Sequence, residues 1–135
     1  MTMAKKSIIA SGKRKQAIAK AVLRSGKGIV MINNTLLDMY EPKMARLRIQ
    51  EPLILAGSKA SALSINITVA GGGVTGQADA SRLALAKALS EHDSTLRQVF
   101  LDYDRQLLVA DVRRREARKP NNNGKARAKR QKSYR

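Results

Sequence analysis

The sequence predicts an α+β domain, with a mixed four-stranded sheet and packed helices, followed by an extended basic tail. Residues 63–69 alternate apolar and polar side chains, as a strand with one buried face does. Residues 76–90 carry alanines at every fourth position, which predicts a helix with a smooth face that can lie close on the sheet. Because apolar periodicity ends after residue 112, we place the globular domain at residues 1–112 and the tail at residues 113–135.

A β-hairpin is predicted near the N-terminus. Residues 17–24 alternate, with Ile18 and Val22 on the same face as Lys20 and Arg24, which favours a strand. The glycines of the segment 25–28 are typical of a turn, and the apolar residues 29–32 are predicted to form the returning strand.

The first helix is predicted to begin at Pro42, because proline suits the first helical position. This helix holds Met44 and Leu47 beside Arg48, and its outward side chains are Lys43 and Arg46. A second proline, Pro52, is expected to end or kink the helix.

After the glycine-rich segment 71–73, the long helix carries Asp79 in its first turn and Lys87 in its last, the signs that the helix dipole favours. A shorter helix through Leu101 follows, capped by Asp93 or Ser94. The segment 107–110 is the fourth strand candidate.

Composition excludes several classes of protein. The chain contains no cysteine and a single histidine, His92, so disulfides, thiolate metal sites and histidine clusters are excluded. No apolar run approaches the roughly 20 residues that span a bilayer, and no signal peptide is recognisable. We therefore expect a soluble, cytoplasmic protein without a metal or a cofactor.

The net charge of +17 lies at the two ends of the chain. Residues 1–27 hold eight basic side chains and no acid, and residues 113–135 hold eleven basic side chains against Glu116 alone. Residues 28–112 are almost neutral, with eight basic and nine acidic side chains. Such blocks are expected to bind a polyanion, most often nucleic acid.

The tail lacks the apolar side chains that a fold requires, and Pro120 to Gly124 reads as a solvated linker. Its 23 residues could span about 75 Å at about 3.3 Å each, far enough to thread into a larger RNA. The alternatives are a solubilising or localisation segment and a DNA-compacting tail. Tyr134 either stacks on a base or ribose or remains in solvent.

Catalytic signals are weak. Gly71, Gly73 and Gly76 match a dinucleotide-binding pattern, but too little chain follows for that fold, so we interpret the glycines as structural. Exposed amides at that helix N-terminus could still hold an RNA phosphate. Asp102 and Asp104 are expected to pair with Arg97 or Arg105 or to cap a turn, and we predict that the protein is not an enzyme.

Several motifs resemble the small-subunit ribosomal protein nine family. They are the segment Gly12-Lys13-Arg14-Lys15-Gln16-Ala17-Ile18-Ala19, the glycine loop leading into Gln77-Ala78-x-Ala80 and Ala84-x-Ala86-Lys87-Ala88-Leu89, the segment Asp111-x-Arg113-Arg114-x-Glu116, and the ending Gln131-Lys132-Ser133-Tyr134-Arg135. The ending is similar to archaeal and eukaryotic members rather than to bacterial ones, and the compact length and short N-terminus look more archaeal than eukaryotic.

The resemblance implies a βαβ unit with a left-handed crossover, and a place in the head of the small subunit beside neighbouring head proteins. It implies that the tip of the tail contacts the anticodon stem-loop of the P-site transfer RNA through Lys132, Ser133, Tyr134 and Arg135. The expected contacts with ribosomal RNA are Lys13, Arg14, Lys15, Arg113, Arg114, Arg115, Arg118, Lys119, Lys125, Arg127, Lys129 and Arg130.

Overall fold

A computed structural model describes residues 6–127 and contains one five-stranded sheet in the order β1-β2-β5-β3-β4. The strands are β1 Ile8–Arg14, β2 Ala17–Ser25, β3 Val30–Ile32, β4 Thr35–Leu36 and β5 Leu63–Ala70. The α-helices are α1 Lys43–Ala56, α2 Val74–His92 and α3 Thr95–Tyr103, and short 3-10 helices occupy Leu37–Met39, Gly57–Ala60 and Arg105–Leu107.

The predicted α+β class with a mixed sheet is confirmed. The pairs β1–β2, β2–β5 and β3–β4 are antiparallel, whereas β3 and β5 are parallel and are connected through α1. This connection is the βαβ unit that the resemblance implies, and its left-handed sense stays a prediction.

The number, position and pairing of the strands differ from the prediction. The predicted hairpin between residues 17–24 and 29–32 is wrong, because β5 lies between β2 and β3 and the hairpin partner of β2 is β1. Five strands form instead of four, because two unpredicted strands, β1 and β4, join the sheet and one predicted strand does not form. β1 pairs along its whole length with β2. The predicted strand at residues 107–110 is wrong. The Asp104 carboxylate accepts a hydrogen bond of 2.9 Å from the Gln106 amide, which starts a 3-10 turn that ends at the buried Leu107.

The core lies between α2 and the faces of β2 and β5. Every second residue of β5 is buried, as the alternation predicted, whereas β2 buries alanines and exposes the face that contains Ile18. The side chains on the buried face are Ala17, Ala19, Ala21 and Leu23 from β2 and Leu63, Ile65, Ile67 and Val69 from β5. Because most of these β2 side chains are methyl groups, α2 can approach the sheet closely.

The alanine face of α2 is buried as predicted, and β1 contacts it through Gly12. A Cβ atom built on Gly12 would lie 2.3 Å from the Ala80 carbonyl oxygen and 2.7 Å from the Ala84 nitrogen. Both atoms belong to the backbone of α2, so rotation of a side chain cannot relieve the clash. Glycine at this position therefore sets the distance between β1 and α2.

Replacing Gly12 by alanine is expected to lower the free energy of unfolding by about 3 kcal/mol or more, because the added methyl group overpacks two backbones. Urea denaturation followed by circular dichroism measures this change. Gly73→Ala is the matched control, because its Cβ would meet no atom within 4 Å. Its expected loss is below about 1 kcal/mol. Equal losses in the two variants would contradict the packing argument.

Helix α1 begins at Lys43, with Pro42 as its N-cap, and passes through Pro52 to end at Ala56. Its buried face consists of Ala45, Ile49, Pro52 and Ala56. Pro52 lacks the amide that would bond the carbonyl of the preceding turn, but the buried face on both sides of it holds the helix against the domain. Met44 is 77% exposed and Leu47 is 45% exposed, so the two apolar side chains that the prediction of this helix singled out lie outside its buried face.

Asp93 caps α3, which is one of the two alternatives that the sequence predicted. Its carboxylate accepts a hydrogen bond of 3.0 Å from the Thr95 amide and one of 2.7 Å from the Thr95 hydroxyl. The Lys59 ammonium lies 2.8 Å from the same carboxylate. The contacts with Lys59 and then Thr95 lower the pKa of Asp93 from 3.8 to about 2. This cluster ties the segment after α1 to the start of α3.

The ion pair of Asp93 predicts a pH-dependent stability. Because the folded-state pKa lies below the unfolded value, the stabilisation is complete above about pH 5 and is lost as the pH falls towards about 2. Asp93→Asn keeps a capping side chain and removes the charge. The difference in unfolding free energy between this variant and the wild type should therefore be constant above about pH 5 and shrink below it.

Urea denaturation at a series of pH values measures that difference. Asp102→Asn is the control for removal of an exposed carboxylate, because Asp102 accepts a hydrogen bond from the Gln98 amide instead of pairing with a lysine. Identical pH profiles for the two variants would contradict the role of the Lys59 pair.

Candidate nucleic-acid interface

The turn between β1 and β2 presents two exposed lysines. Lys13 lies near the end of β1, and Lys15 occupies the turn with a positive φ of 54°. Both side chains are exposed, whereas Arg14 between them is half-buried. The turn therefore offers two cations to solvent and directs the third towards the domain.

This turn lies against the glycine segment before α2. Gly71 has a φ of +81°, and a Cβ atom built on it would lie 2.6 Å from the Gln16 carbonyl oxygen. The Gln77 side chain donates a hydrogen bond of 3.1 Å to the Gly71 carbonyl. The structural interpretation of this glycine, positive φ and close backbone approach, is confirmed. The geometry also places the exposed lysines beside the N-terminus of α2, whose first amides have no partner within the helix.

Arg14 lies between two carboxylates. Its guanidinium is 3.7 Å from the Asp79 carboxylate and 3.4 Å from that of Asp111. Among the residues that the structure describes, its buried Nη1 atom has no hydrogen-bond partner, so the contact with Asp111 is an ion pair without hydrogen-bond geometry. Asp79 also accepts a hydrogen bond of 2.6 Å from Arg48 of α1. Arg14 is thus neutralised from within the domain.

Arg14 and its two carboxylates line a cavity of about 550 Å³, and a second ion-pair cluster lies in the same cavity. Arg82 of α2 donates a hydrogen bond of 2.9 Å to Glu51 of α1 and one of 3.1 Å to Asp104. Hydrogen bonds from the Gln106 amide and then from Arg82 lower the pKa of Asp104. Asp104 caps a turn as predicted, but it pairs with Arg82 rather than with Arg97 or Arg105. The two clusters together connect α1, α2 and the segment that precedes the tail.

The tail begins beside this cavity. The Asp111 carboxylate accepts hydrogen bonds from the Arg113 amide at 2.9 Å and from the Arg113 guanidinium at 2.7 Å. These bonds, with further attraction from Arg113 and Arg14, hold the pKa of Asp111 well below its ordinary value. The same contacts raise the pKa of Arg113. Sequence reasoning missed Asp79 and Asp111 as partners of Arg14, because nothing in the sequence indicates that these three residues meet.

Residues 111–118 form neither helix nor strand, and their exposed side chains include the predicted contacts Arg114, Arg115 and Arg118. The predicted linker forms a tight turn. Lys125 donates a backbone hydrogen bond of 3.0 Å to Asn122, and Lys119 donates one of 3.2 Å to Lys125. Glu116 and Arg127 then pair at 3.0 Å. The remaining predicted contacts, Lys129, Arg130, Lys132, Ser133, Tyr134 and Arg135, lie outside the described residues.

Within residues 6–127, no helix is both long and apolar enough to cross a membrane. The same part of the chain contains no group of three or more acidic or histidine side chains that could hold a metal ion.

Comparison with known proteins supports the resemblance found in the sequence. Residues 12–135 match a family described as Ribosomal protein S9/S16. The chain is 48% identical over 130 residues to the small ribosomal subunit protein uS9 of Thermoplasma volcanium, covering 95% of this chain and 98% of that protein. It is 50% identical over 130 residues to uS9 of Thermoplasma acidophilum, covering 95% of this chain and 100% of that protein. A third uS9, from Methanothrix thermoacetophila, is 47% identical over 132 residues, covering 96% of this chain and 99% of that protein.

Proposed function

Because the chain belongs to the ribosomal protein S9/S16 family, we propose that it is a structural constituent of the small subunit of cytoplasmic ribosomes. It acts in translation by binding ribosomal RNA in the head of the subunit beside neighbouring head proteins. The tip of its tail contacts the anticodon stem-loop of the P-site transfer RNA.

The observation that carries this proposal is the convergence of the two basic blocks. They lie at opposite ends of the sequence, but the 3.4 Å contact between Arg14 and Asp111 brings the β1–β2 turn to the start of the tail. Lys13 and Lys15 therefore lie on the side of the domain from which Arg113, Arg114 and Arg115 leave. A phosphate backbone that crosses this side would meet both blocks at once.

Three further features fit an RNA ligand. The N-terminus of α2 adds unpaired amides beside the two lysines, and such amides bind phosphate oxygens. The arginines of the tail can bind phosphates in a bidentate geometry, whereas the lysines act as mobile point charges. Three acids that line the adjoining cavity do not oppose this charge, because Asp79, Asp111 and Glu51 already pair with arginines.

The proposed contact of the tail tip with transfer RNA rests on the family resemblance and on the extended length of the tail. The segment from Arg113 can extend about 75 Å, so Arg113 to Arg130 can follow ribosomal RNA while Lys132 to Arg135 reach a ligand beyond it. On this proposal Lys119, Lys125, Arg127, Lys129 and Arg130 bind ribosomal RNA between the domain and the tip.

Removing the exposed lysines of the turn is expected to reduce the salt dependence of RNA binding. Eliminating one bound phosphate lowers the slope of log K against log salt by roughly 0.7 to 0.9, so Lys13→Gln/Lys15→Gln should lower it by at most about 1.8. Filter binding of the full-length protein to a transcript of the ribosomal RNA head, at a series of salt concentrations, measures the slope.

Lys43→Gln is the control, because Lys43 is exposed but lies in the near-neutral part of the sequence, at the start of α1. Its slope should equal that of the wild type. Equal slopes for wild type and double variant, or tighter binding to duplex DNA than to the transcript, would contradict the proposal.

Deleting Lys132 to Arg135 is expected to leave the domain folded and the protein assembled, but to weaken binding of transfer RNA to the P site. Sucrose-gradient sedimentation measures assembly, and filter binding of deacylated transfer RNA to purified small subunits measures P-site affinity. A protein carrying Lys125→Gln and Arg127→Gln also lacks one lysine and one arginine, but from the middle of the tail, and its main expected defect is in assembly. Failure of the deletion variant to assemble would show that the tip is structural.

A further inference from the structure

We propose that Arg14 is a positioning residue that, through Asp111, clamps the start of the tail to the domain and sets the direction in which the tail leaves. The sequence places Arg14 among the RNA contacts, between Lys13 and Lys15. As a clamp, Arg14 would position the tail instead of contacting RNA itself. This inference rests on the proposed RNA-binding function.

The surroundings of Arg14 do not suit a phosphate. Its side chain is 17% exposed and lies within 4 Å of both the Asp79 and the Asp111 carboxylates. A phosphate that approached the guanidinium would be repelled by these two carboxylates, or would have to displace one of them. Displacing a carboxylate would leave a poorly solvated charge without its partner. The exposed lysines on either side meet no such obstacle.

Asp111 is the last point at which the described chain is held to the domain. Its side chain is 10% exposed, and it lies between Arg14 of β1 and Arg113 of the tail. Beyond it, Val112 is 87% exposed. Every hydrogen bond and ion pair that the structure gives residues 112–127 is made within the tail or to Asp111.

Asp79 makes the clamp rigid. It lies in the second turn of α2 rather than in the predicted first turn, because the helix begins at Val74. Its carboxylate is shared between Arg14 of β1 and Arg48 of α1. Arg14 is therefore held by a carboxylate of α2 that is itself paired with α1. Arg14 cannot follow a moving tail without giving up the pair with Asp79.

A fixed start narrows the volume that the tail explores before it meets RNA. If the clamp opens, residues near Asp111 must be ordered during binding. Ordering one backbone residue is enough to weaken RNA binding about tenfold. The phosphate contacts of the bound state stay the same, so the salt dependence of binding should not change. Weaker binding at constant slope distinguishes a positioning residue from a phosphate contact.

The clamp can be tested directly in the free protein. The chain has no cysteine, so Glu91→Cys and Ala117→Cys accept two spin labels on exposed sites of the domain and the tail. Pulsed electron resonance then gives the distribution of distances between them. Both Arg14→Gln and Asp111→Asn should broaden the distribution, whereas Asp102→Asn, which lies outside the clamp, should leave it unchanged. An unchanged distribution in both clamp variants would overturn the proposal.

RNA binding supplies the second measurement. Arg14→Gln should weaken binding up to about tenfold with the slope of the wild type, whereas Lys15→Gln should lower the slope by roughly 0.7 to 0.9. A slope lowered equally by the two substitutions would make Arg14 a phosphate contact and would overturn the clamp. Failure of the wild type to bind the transcript would contradict the proposed function instead, and the distance measurement would still decide whether the clamp exists.

Discussion

The close packing of α2 on the sheet is the constraint on which the rest of the structure depends. Glycine at position 12 and alanines on both surfaces let β1 and α2 approach until the backbone atoms themselves limit the distance. At that distance the end of β1 lies beside the N-terminal turns of α2, so Arg14 reaches Asp79. The pairing of Arg14 with Asp111, and hence the place where the tail leaves the domain, follows from the same approach.

The sequence predicted those elements whose signals are local. The alternation of β5, the alanine face of α2 and the cap of α3 at Asp93 each depend on neighbouring residues, and all three are confirmed. β1 was missed because apolar residues occupy only its first three positions, and the small and basic residues that follow are held in a strand by pairing to β2. The strand predicted at residues 107–110 was wrong because an Asp104 cap competes with extension.

In the candidate site, too, local features could be predicted from the sequence, whereas contacts between remote residues could not. Lys13 and Lys15 are exposed as a nucleic-acid contact requires, and their role stays a prediction. Arg14 belongs to the same basic run, but its partners Asp79 and Asp111 are remote in sequence. Only the packing of α2 brings them to Arg14. A run of basic residues therefore predicts a binding surface and not the role of each residue in it, because burial and pairing decide which cations remain free.

The distribution of the acids explains how one small chain supports both a fold and a strongly basic surface. Glu51, Asp79, Asp104 and Asp111 all face arginines in or beside one cavity, where each pair is partly shielded from water. These arginines connect elements of the domain, and the neutralised cavity leaves no carboxylate to compete with an RNA phosphate for the lysines of the turn. The exposed cations nearest to this cavity are the lysines of the β1–β2 turn and the arginines at the start of the tail, so the charge that would bind RNA here is separated in space from the charge that holds the fold. A tail that starts at Asp111 thus leaves from the boundary between the two, and the ion pairs of the domain determine where its positive charge begins.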